Sequence, residues 1–408
     1  MDAPTRSDDE SLAPTRAEQR SSVATGSDRP LLAFFIPDLS VGGAEQVAIT
    51  IVNGLAERGY DIDLLLSRAS GELQSELSEQ VSVVELPPSK TPAVGVAAHL
   101  PSLVSYLHRE KPAALFPHLE HPSIVCLTIN RLLDTDTTVI PTQHSAFGHG
   151  VESTPKDRVV ERVVPHLYPA SDQIISVSEG VADSLVNQTP VDRGDVSVLH
   201  NPVDVERIRE RASQPVDHDW VENSDRDVVL FVGRHAGQKN LNGWVRAFEQ
   251  VVDRNPDVRA IIAGKGQCRE DVVATVEQRG LSDVVSLPGY VDNPYRYMSK
   301  ADTFLLSSRY EGLPTVLIEC LSVGCPVVST DCPSGPREIL SDGEYGTLVP
   351  VGDVDGLANA VCDTLASPPD PERLRSRAGD FSPQPVFDEY ERFLTEYVFA
   401  TESAATVH

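Results

Sequence analysis

Short apolar runs of strand length, each followed by a stretch with helical spacing of its apolar residues, recur along this chain and restart once near its middle. The first run is Leu31–Pro37; it gives out at Ser40-Val41-Gly42-Gly43. Ala44, Val47, Ala48, Ile51, Val52 and Leu55 then recur at helical spacing, and Gly59 stands where that helix would stop. Ile62–Leu66 supplies the next strand. A strand–helix–strand unit of this kind demands a parallel sheet with helices on its faces. The pattern predicts further strands at 81–86, 113–117, 138–141, 173–177 and 196–199. After a polar, charged stretch at 201–226, read as a connection between halves, Val228–Val232 reopens the alternation. Strands at 258–263, 284–287, 303–307 and 326–329 follow, with helices near 242–254, 269–279, 314–323 and 354–366.

The fold class expected is therefore α/β, with two facing Rossmann-like, doubly wound domains and a cleft between them. Residues 1–28 lack hydrophobic periodicity and read as a disordered tail. The remaining divisions are 29–204, 205–382 and a terminal helical segment at 383–400. In that segment Val386, Phe387, Tyr390, Phe393, Leu394 and Tyr397 share one apolar face, and Pro383 and Pro385 favour a break before it. So much apolar surface needs a partner, and the expected one lies back across the interdomain side.

A chain of 408 residues with 40% hydrophobic residues can build two such cores. The formal charge is −27, and only six basic residues are lysines. Such a surface stays hydrated where salt screens its self-repulsion, as in salt-accumulating halophiles; an ordinary acidic protein is the plainer alternative. Nucleic acid is excluded as a partner by the same field. No stretch approaches the roughly 18 apolar residues of a spanning helix. The start lacks the basic and apolar regions of a secretory signal, so the expectation is a cytoplasmic protein with at most peripheral membrane contact. The six cysteines show no CxxC or zinc-type spacing and read as reduced, buried thiols.

Doubly wound sheets bind ligands beyond the carboxyl ends of their strands, and the distinctive residues stand there. Gly42 and Gly43 follow the first strand and open a helix, where free N–H groups favour phosphate; a tight turn would also explain them. Arg234 and Lys239 follow Val228–Val232 directly. Two fixed cations at a strand end suit a diphosphate leaving group, the alternative being surface ion pairing. Glu311-Gly312-Leu313-Pro314 follows the strand at 303–307, and Pro314 suits a first helical turn, leaving N–H groups free for an anion. Glu311 and Glu319 could each accept two hydrogen bonds from a sugar or ribose diol, or merely face solvent. His118, His121 and His144 stand near strand ends; for His118 and His121 an ordinary structural role is the favoured reading. Of the Asp-x-Asp strings, Asp61-Ile62-Asp63 straddles a strand and Asp353-Val354-Asp355 starts a helix, where capping explains it.

Several of these runs, in this order, resemble glycosyltransferase family 4. They are Gly42-Gly43-Ala44-Glu45, Ser176-Val177-Ser178-Glu179-Gly180, His200-Asn201-Pro202-Val203-Asp204, Gly233-Arg234 with Lys239-Asn240, Glu311 with Glu319, and Pro333-Ser334-Gly335-Pro336-Arg337-Glu338. The resemblance spans residues 31 to about 397. It implies a two-Rossmann, GT-B-type retaining glycosyltransferase. Carried over by position, Arg234 and Lys239 hold the donor diphosphate, Glu311 orients the transferred sugar and Glu319 binds the ribose. Gly312-Leu313-Pro314 contacts donor sugar and phosphate, Gly42-Gly43 is the N-terminal phosphate loop, and His144 lies near the donor sugar. Where the family often has Gly-Gly-x-Pro-Glu, this chain has Ser-Gly-Pro-Arg-Glu. That variant resembles the branch that transfers hexoses or N-acetylhexosamines onto lipid-linked saccharides and polysaccharides. No cofactor and no metal are expected; the donor is a nucleoside-diphosphate sugar, with UDP-sugars favoured. A dinucleotide oxidoreductase fails because Gly264-Lys265-Gly266 lacks the third glycine, and a P-loop hydrolase because no Gly-Lys-Ser/Thr occurs. A nucleotide-sugar hydrolase or epimerase, or a silent binding subunit, remain the alternatives.

Overall fold

A computed structural model of the chain describes residues 30–40, 42–88, 98–133, 135–148, 155–222 and 226–400. The expected N-terminal tail lies outside these residues. The first half carries β1 (Leu31–Ile36), β2 (Asp61–Leu66), β3 (Ser82–Glu85), β4 (Ala114–Pro117) and β5 (Thr138–Val139), in the order β3-β2-β1-β4-β5. β6 (Thr142–Gln143), β7 (Ile174–Ser176) and β8 (Val196–Val198) form a small sheet beside it. A parallel bridge from His118 to Thr142 joins the two. Every recorded pairing is parallel.

Alternation along β1 explains why both faces of this sheet are covered. Leu32, Phe34 and Ile36 pack on one side with Val47, Ile51, Val52 and Leu55 of the helix Gly43–Glu57. Ala33 and Phe35 pack on the other with Leu103 and Leu107 of the helix Leu100–Glu110 and Cys126, Leu127 and Ile129 of the helix Glu120–Leu132.

The second half holds one six-stranded parallel sheet. Its strands are β9 (Val228–Val232), β10 (Arg259–Ala263), β11 (Val285–Gly289), β12 (Thr303–Leu306), β13 (Val327–Thr330) and β14 (Thr347–Val349). Their order is β11-β10-β9-β12-β13-β14, so the chain reverses direction across the sheet between β9 and β12. The crevice beyond those two strand ends is where such a sheet takes a ligand.

The stretch 201–226, read from its polarity as a connection between halves, contains a helix of its own. Val205–Ala212 is a helix whose first turn is capped by the Asp204 carboxylate, which accepts from the Arg207 N–H at 3.0 Å. Its Val205, Ile208 and Ala212 fall on one face and join the core of the second half. Five charged residues in the helix hide this three-residue apolar stripe from a sequence reading.

The terminal helix, Pro383–Leu394, begins at the prolines instead of after them, because a first-turn proline lacks only an N–H that would go unpaired anyway. Val386, Phe387, Tyr390, Phe393 and Leu394 enter the core of the first half. Phe387 lies against Gly54, where an added Cβ would fall 2.0 Å from the ring. Arg58 reaches Asp388 and Glu391, each at 2.9 Å. The chain end thus clamps the second half to the first. Among the described residues no helix is long and apolar enough to cross a membrane.

Candidate active site

Two loops at the β9/β12 switch point are stitched together. After β9 the chain makes a short turn over Gly237–Lys239, and Asn240 takes a left-handed conformation (φ 50°) before the helix Leu241–Arg254. The Arg309 N–H donates to the Gln238 carbonyl at 2.9 Å, and the Ser307 hydroxyl donates to the Lys239 carbonyl at 2.8 Å. These bonds bring Lys239 to Glu311: Nζ and Oε1 are 2.6 Å apart, with the side chains only 16% and 7% exposed. Gln238 Nε2 donates to the second carboxylate oxygen at 3.2 Å and to the Tyr310 carbonyl at 2.8 Å. Glu311 is therefore a buried carboxylate with both oxygens engaged, and Lys239 is its counter-charge. A buried carboxylate without that partner would be costly.

Arg234 forms no ion pair among the described residues. It lines a cavity of about 570 Å³ between the halves, together with Gln238, Arg309 and Tyr310 on one wall. Glu120, His121, Phe147 and Glu161 form the facing wall. In a chain of net charge −27, the cationic wall is a local inversion of sign. Glu120 is oriented: Gln143 Nε2 donates to its Oε1 at 3.1 Å, and Gln143 Oε1 accepts from the Tyr168 hydroxyl at 3.4 Å. Leu119, just before it, has φ 72° and ψ 156°, a conformation that costs a non-glycine residue on the order of 1–3 kcal/mol.

Gly312 is wedged into the seam between the halves. A Cβ there would lie 1.9 Å from the His144 carbonyl oxygen. The Gly312 carbonyl accepts from the Ser178 hydroxyl at 3.0 Å, and the Glu311 carbonyl from the Ala146 N–H at 3.4 Å. Leu313 is buried, and Pro314 packs under Gly335, whose missing Cβ would otherwise sit 2.4 Å from Pro314 Cδ. Glu338 closes the same seam. One oxygen accepts from the Glu179 N–H at 2.9 Å, and the other stands 2.5 Å from His200 Nε2.

His144 and His118 are hydrogen-bonded, Nδ1 of His118 to Nε2 of His144 at 2.8 Å. Burial drives both toward the neutral form: His144 falls to about 4, and His118 lies well below the usual histidine range, with the neighbouring His144 adding to the effect. Glu319 sits within the helix Thr315–Val323. Burial pushes its carboxyl up to about 7, and the Thr315 hydroxyl, donating to Oε1 at 3.2 Å, opposes the shift.

The structure thus brings Arg234, Lys239, Glu311, Gly312 and His144 to one seam. Glu319, Leu313 and Pro314 lie on the same loop and helix. Gly42 and Gly43 stand at the start of the helix Gly43–Glu57, and of the predicted site residues only Arg234 is among the described residues that line the cavity. Space over Gly42 is filled by the flexible Glu45 side chain, and Gly43 faces open space. Gln238, Ser178 and Glu338 were not singled out as site residues, although all three occur in or beside the quoted runs. His118, for which the sequence favours a structural role, bonds a partner 26 residues away that nothing local to its sequence reveals. Asp63 and Asp353 are accounted for by Tyr106 and by capping of Gly356.

Two sequence families match in succession: "Glycosyltransferase Family 4" over residues 41–207 and "Glycosyl transferases group 1" over residues 214–380. Among relatives, a Campylobacter jejuni N-acetylgalactosamine-N,N'-diacetylbacillosaminyl-diphospho-undecaprenol 4-alpha-N-acetylgalactosaminyltransferase is 28% identical over 332 residues, covering 80% of this chain and 87% of its own. The Anabaena protein HepE, solved in complex with UDP-glucose, superposes with a TM-score of 0.74 at 17% identity, covering 90% of this chain and all of that one. Sucrose-phosphate synthase from Thermosynechococcus elongatus gives 0.75 at 19%, covering 91% and 100%. The fold is of the GT-B type, and both matching families are glycosyltransferases. The chain belongs to the family-4-type glycosyltransferases.

Proposed function

We propose that this protein transfers a hexose or N-acetylhexosamine, with retention of anomeric configuration, from a nucleoside-diphosphate sugar to a saccharide or lipid-linked saccharide acceptor. The single observation that carries the reading is the buried Lys239–Glu311 pair at the strand reversal of the second sheet, joined through Gln238 to the cavity wall that holds Arg234, which has no ion pair among the described residues. Lys239 and Arg234 neutralise the departing diphosphate, and Glu311 accepts hydrogen bonds from hydroxyls of the transferred sugar. Glu319 accepts from the ribose diol. Gly42 and Gly43, at a helix start, contribute N–H groups to the phosphates. UDP-sugars are the favoured donors, supported by the UDP-glucose held by HepE. The lipid-diphospho acceptor in the Campylobacter enzyme's name supports a lipid-linked acceptor. The lysine-poor, acidic composition supports work at high salt.

In the reaction, the bond from the anomeric carbon to the leaving phosphate oxygen breaks, and a bond to the acceptor hydroxyl oxygen forms on the same face. The acceptor's proton passes to the leaving phosphate oxygen. Two fixed cations can meet the developing charge there, so donor turnover is expected to survive chelation of divalent metal. The test is nucleoside-diphosphate release from a panel of UDP-sugars in high salt, with and without acceptor and EDTA. Acceptor-dependent release supports the reading. Release that no acceptor changes would make the protein a hydrolase, and no release at all a binding subunit.

A further inference from the structure

His118 and His144 stand at the ends of neighbouring strands, and the bridge between His118 and Thr142 sets the two rings side by side, with centroids 4.9 Å apart. Burial favours the neutral form of both rings, in which each carries one N–H, and the 2.8 Å contact holds one proton between them. Two arrangements satisfy it. In the first, His118 Nδ1–H donates to His144 Nε2, which leaves the His144 proton on Nδ1 and a bare lone pair on His118 Nε2. In the second, His144 Nε2–H donates, and the remaining proton of His118 sits on its Nε2. That nitrogen is buried, in a residue 1% exposed, and has no hydrogen-bond partner among the described residues. A buried N–H without an acceptor is the rarer and costlier of the two defects.

We infer that His118 is a positioning residue that fixes His144 in the tautomer protonated on Nδ1, so that His144 serves as a hydrogen-bond donor and has no nitrogen able to take a proton. Nε2 is occupied by His118, and Nδ1 already carries its hydrogen. His144 has no partner for Nδ1 among the described residues. The place of its backbone, with its carbonyl oxygen packed on Gly312, puts this donor beside the loop that carries Glu311. A ring so held can bind an oxygen of the transferred sugar, but it cannot accept the acceptor's proton. What His144 touches rests on the donor-site reading above; the tautomer rests on the geometry of the pair and on the burial that keeps both rings neutral.

The experiment is a two-bond proton–nitrogen correlation spectrum of the full chain labelled with nitrogen-15 histidine, which reads each tautomer without turnover. Both rings are expected to be protonated on Nδ1; both protonated on Nε2 would overturn the inference. His118→Asn keeps a donor at the Nδ1 position and is expected to hold the His144 tautomer and kcat to within about threefold. His118→Phe removes the donor and is expected to mix the His144 tautomers and lower kcat on the order of tenfold, the size of one ordinary hydrogen bond, with KM less affected. An unchanged His144 spectrum in His118→Phe would also overturn it. Unchanged turnover in His144→Ala, with both tautomers as stated, would remove His144 from the donor site and leave the positioning role standing.

Discussion

Replacing Lys239 by methionine keeps most of the side-chain volume and removes the charge, so it isolates what the cation does for Glu311. At 2.6 Å and an effective dielectric near 20, the pair's gross attraction is about 6 kcal/mol. Most of that offsets the desolvation of both groups. Breaking a buried pair by deleting one member nonetheless costs about 3–5 kcal/mol, because the remaining charge stays buried without compensation. Gln238 still donates to one Glu311 oxygen, which places Lys239→Met toward the lower end. With an m-value of roughly 3 kcal/mol per molar urea, the unfolding midpoint should fall by about 1 M. Glu311→Gln should cost a comparable amount, since it leaves the ammonium alone. The double variant is the decisive arm. With neither charge present, it should be at least 2 kcal/mol more stable than the sum of the singles implies, on the order of the coupling seen between directly contacting groups. Its transfer activity should stay as low as that of either single variant. Urea titration monitored by tryptophan fluorescence, alongside nucleoside-diphosphate release, measures both. Additive stabilities would refute the pairing as an energetic unit, and activity regained in the double variant would refute its place in donor binding.

Other outcomes follow from the same geometry. Because burial raises the Glu319 carboxyl to about 7, the folded state binds a proton more tightly than the unfolded one. Its stability contribution is complete below the ordinary carboxylate range and is lost as pH rises through about 7. Glu319→Gln should therefore match the wild type in urea at pH 5, exceed it at pH 8 by at most about 3 kcal/mol, and bind donor more weakly. Gly312→Ala places a methyl 1.9 Å from the His144 carbonyl and must part the halves. A loss of transfer activity on the order of a hundredfold is expected, with circular dichroism unchanged. Phe387→Ala empties a site in the core of the first half and should destabilise by about 3–5 kcal/mol. Hydrogen exchange should then rise in the helix Gly43–Glu57, though the altered residue lies more than 300 positions away.

Local pattern was enough to place the strands that carry the site. Val228–Val232 and the run at 303–307 are bounded by abrupt changes from apolar to polar residues, and their order in a parallel sheet follows from the helices between them. It failed where the signal was short or diluted. β14 spans three residues, and the helix Val205–Ala212 presents three apolar side chains among charged ones. Arg234, Lys239, Glu311 and Glu319 were legible because each stands beside a strand end or on the helix that follows it. Their mutual arrangement was not. Lys239 and Glu311 were assigned to different parts of the donor, and only the fold shows them touching.

Sequence alone therefore determined the two-sheet architecture and the chemical types available at each strand end, since both are encoded in residues within about twenty positions of one another. Tertiary structure decided which of them meet. Lys239 finds Glu311 across 72 positions, Ser178 finds Gly312 across 134, and Glu338 reaches Glu179 across 159. Separations of that length leave no periodic trace, because the contact depends on how two sheets dock and not on the conformation of either segment.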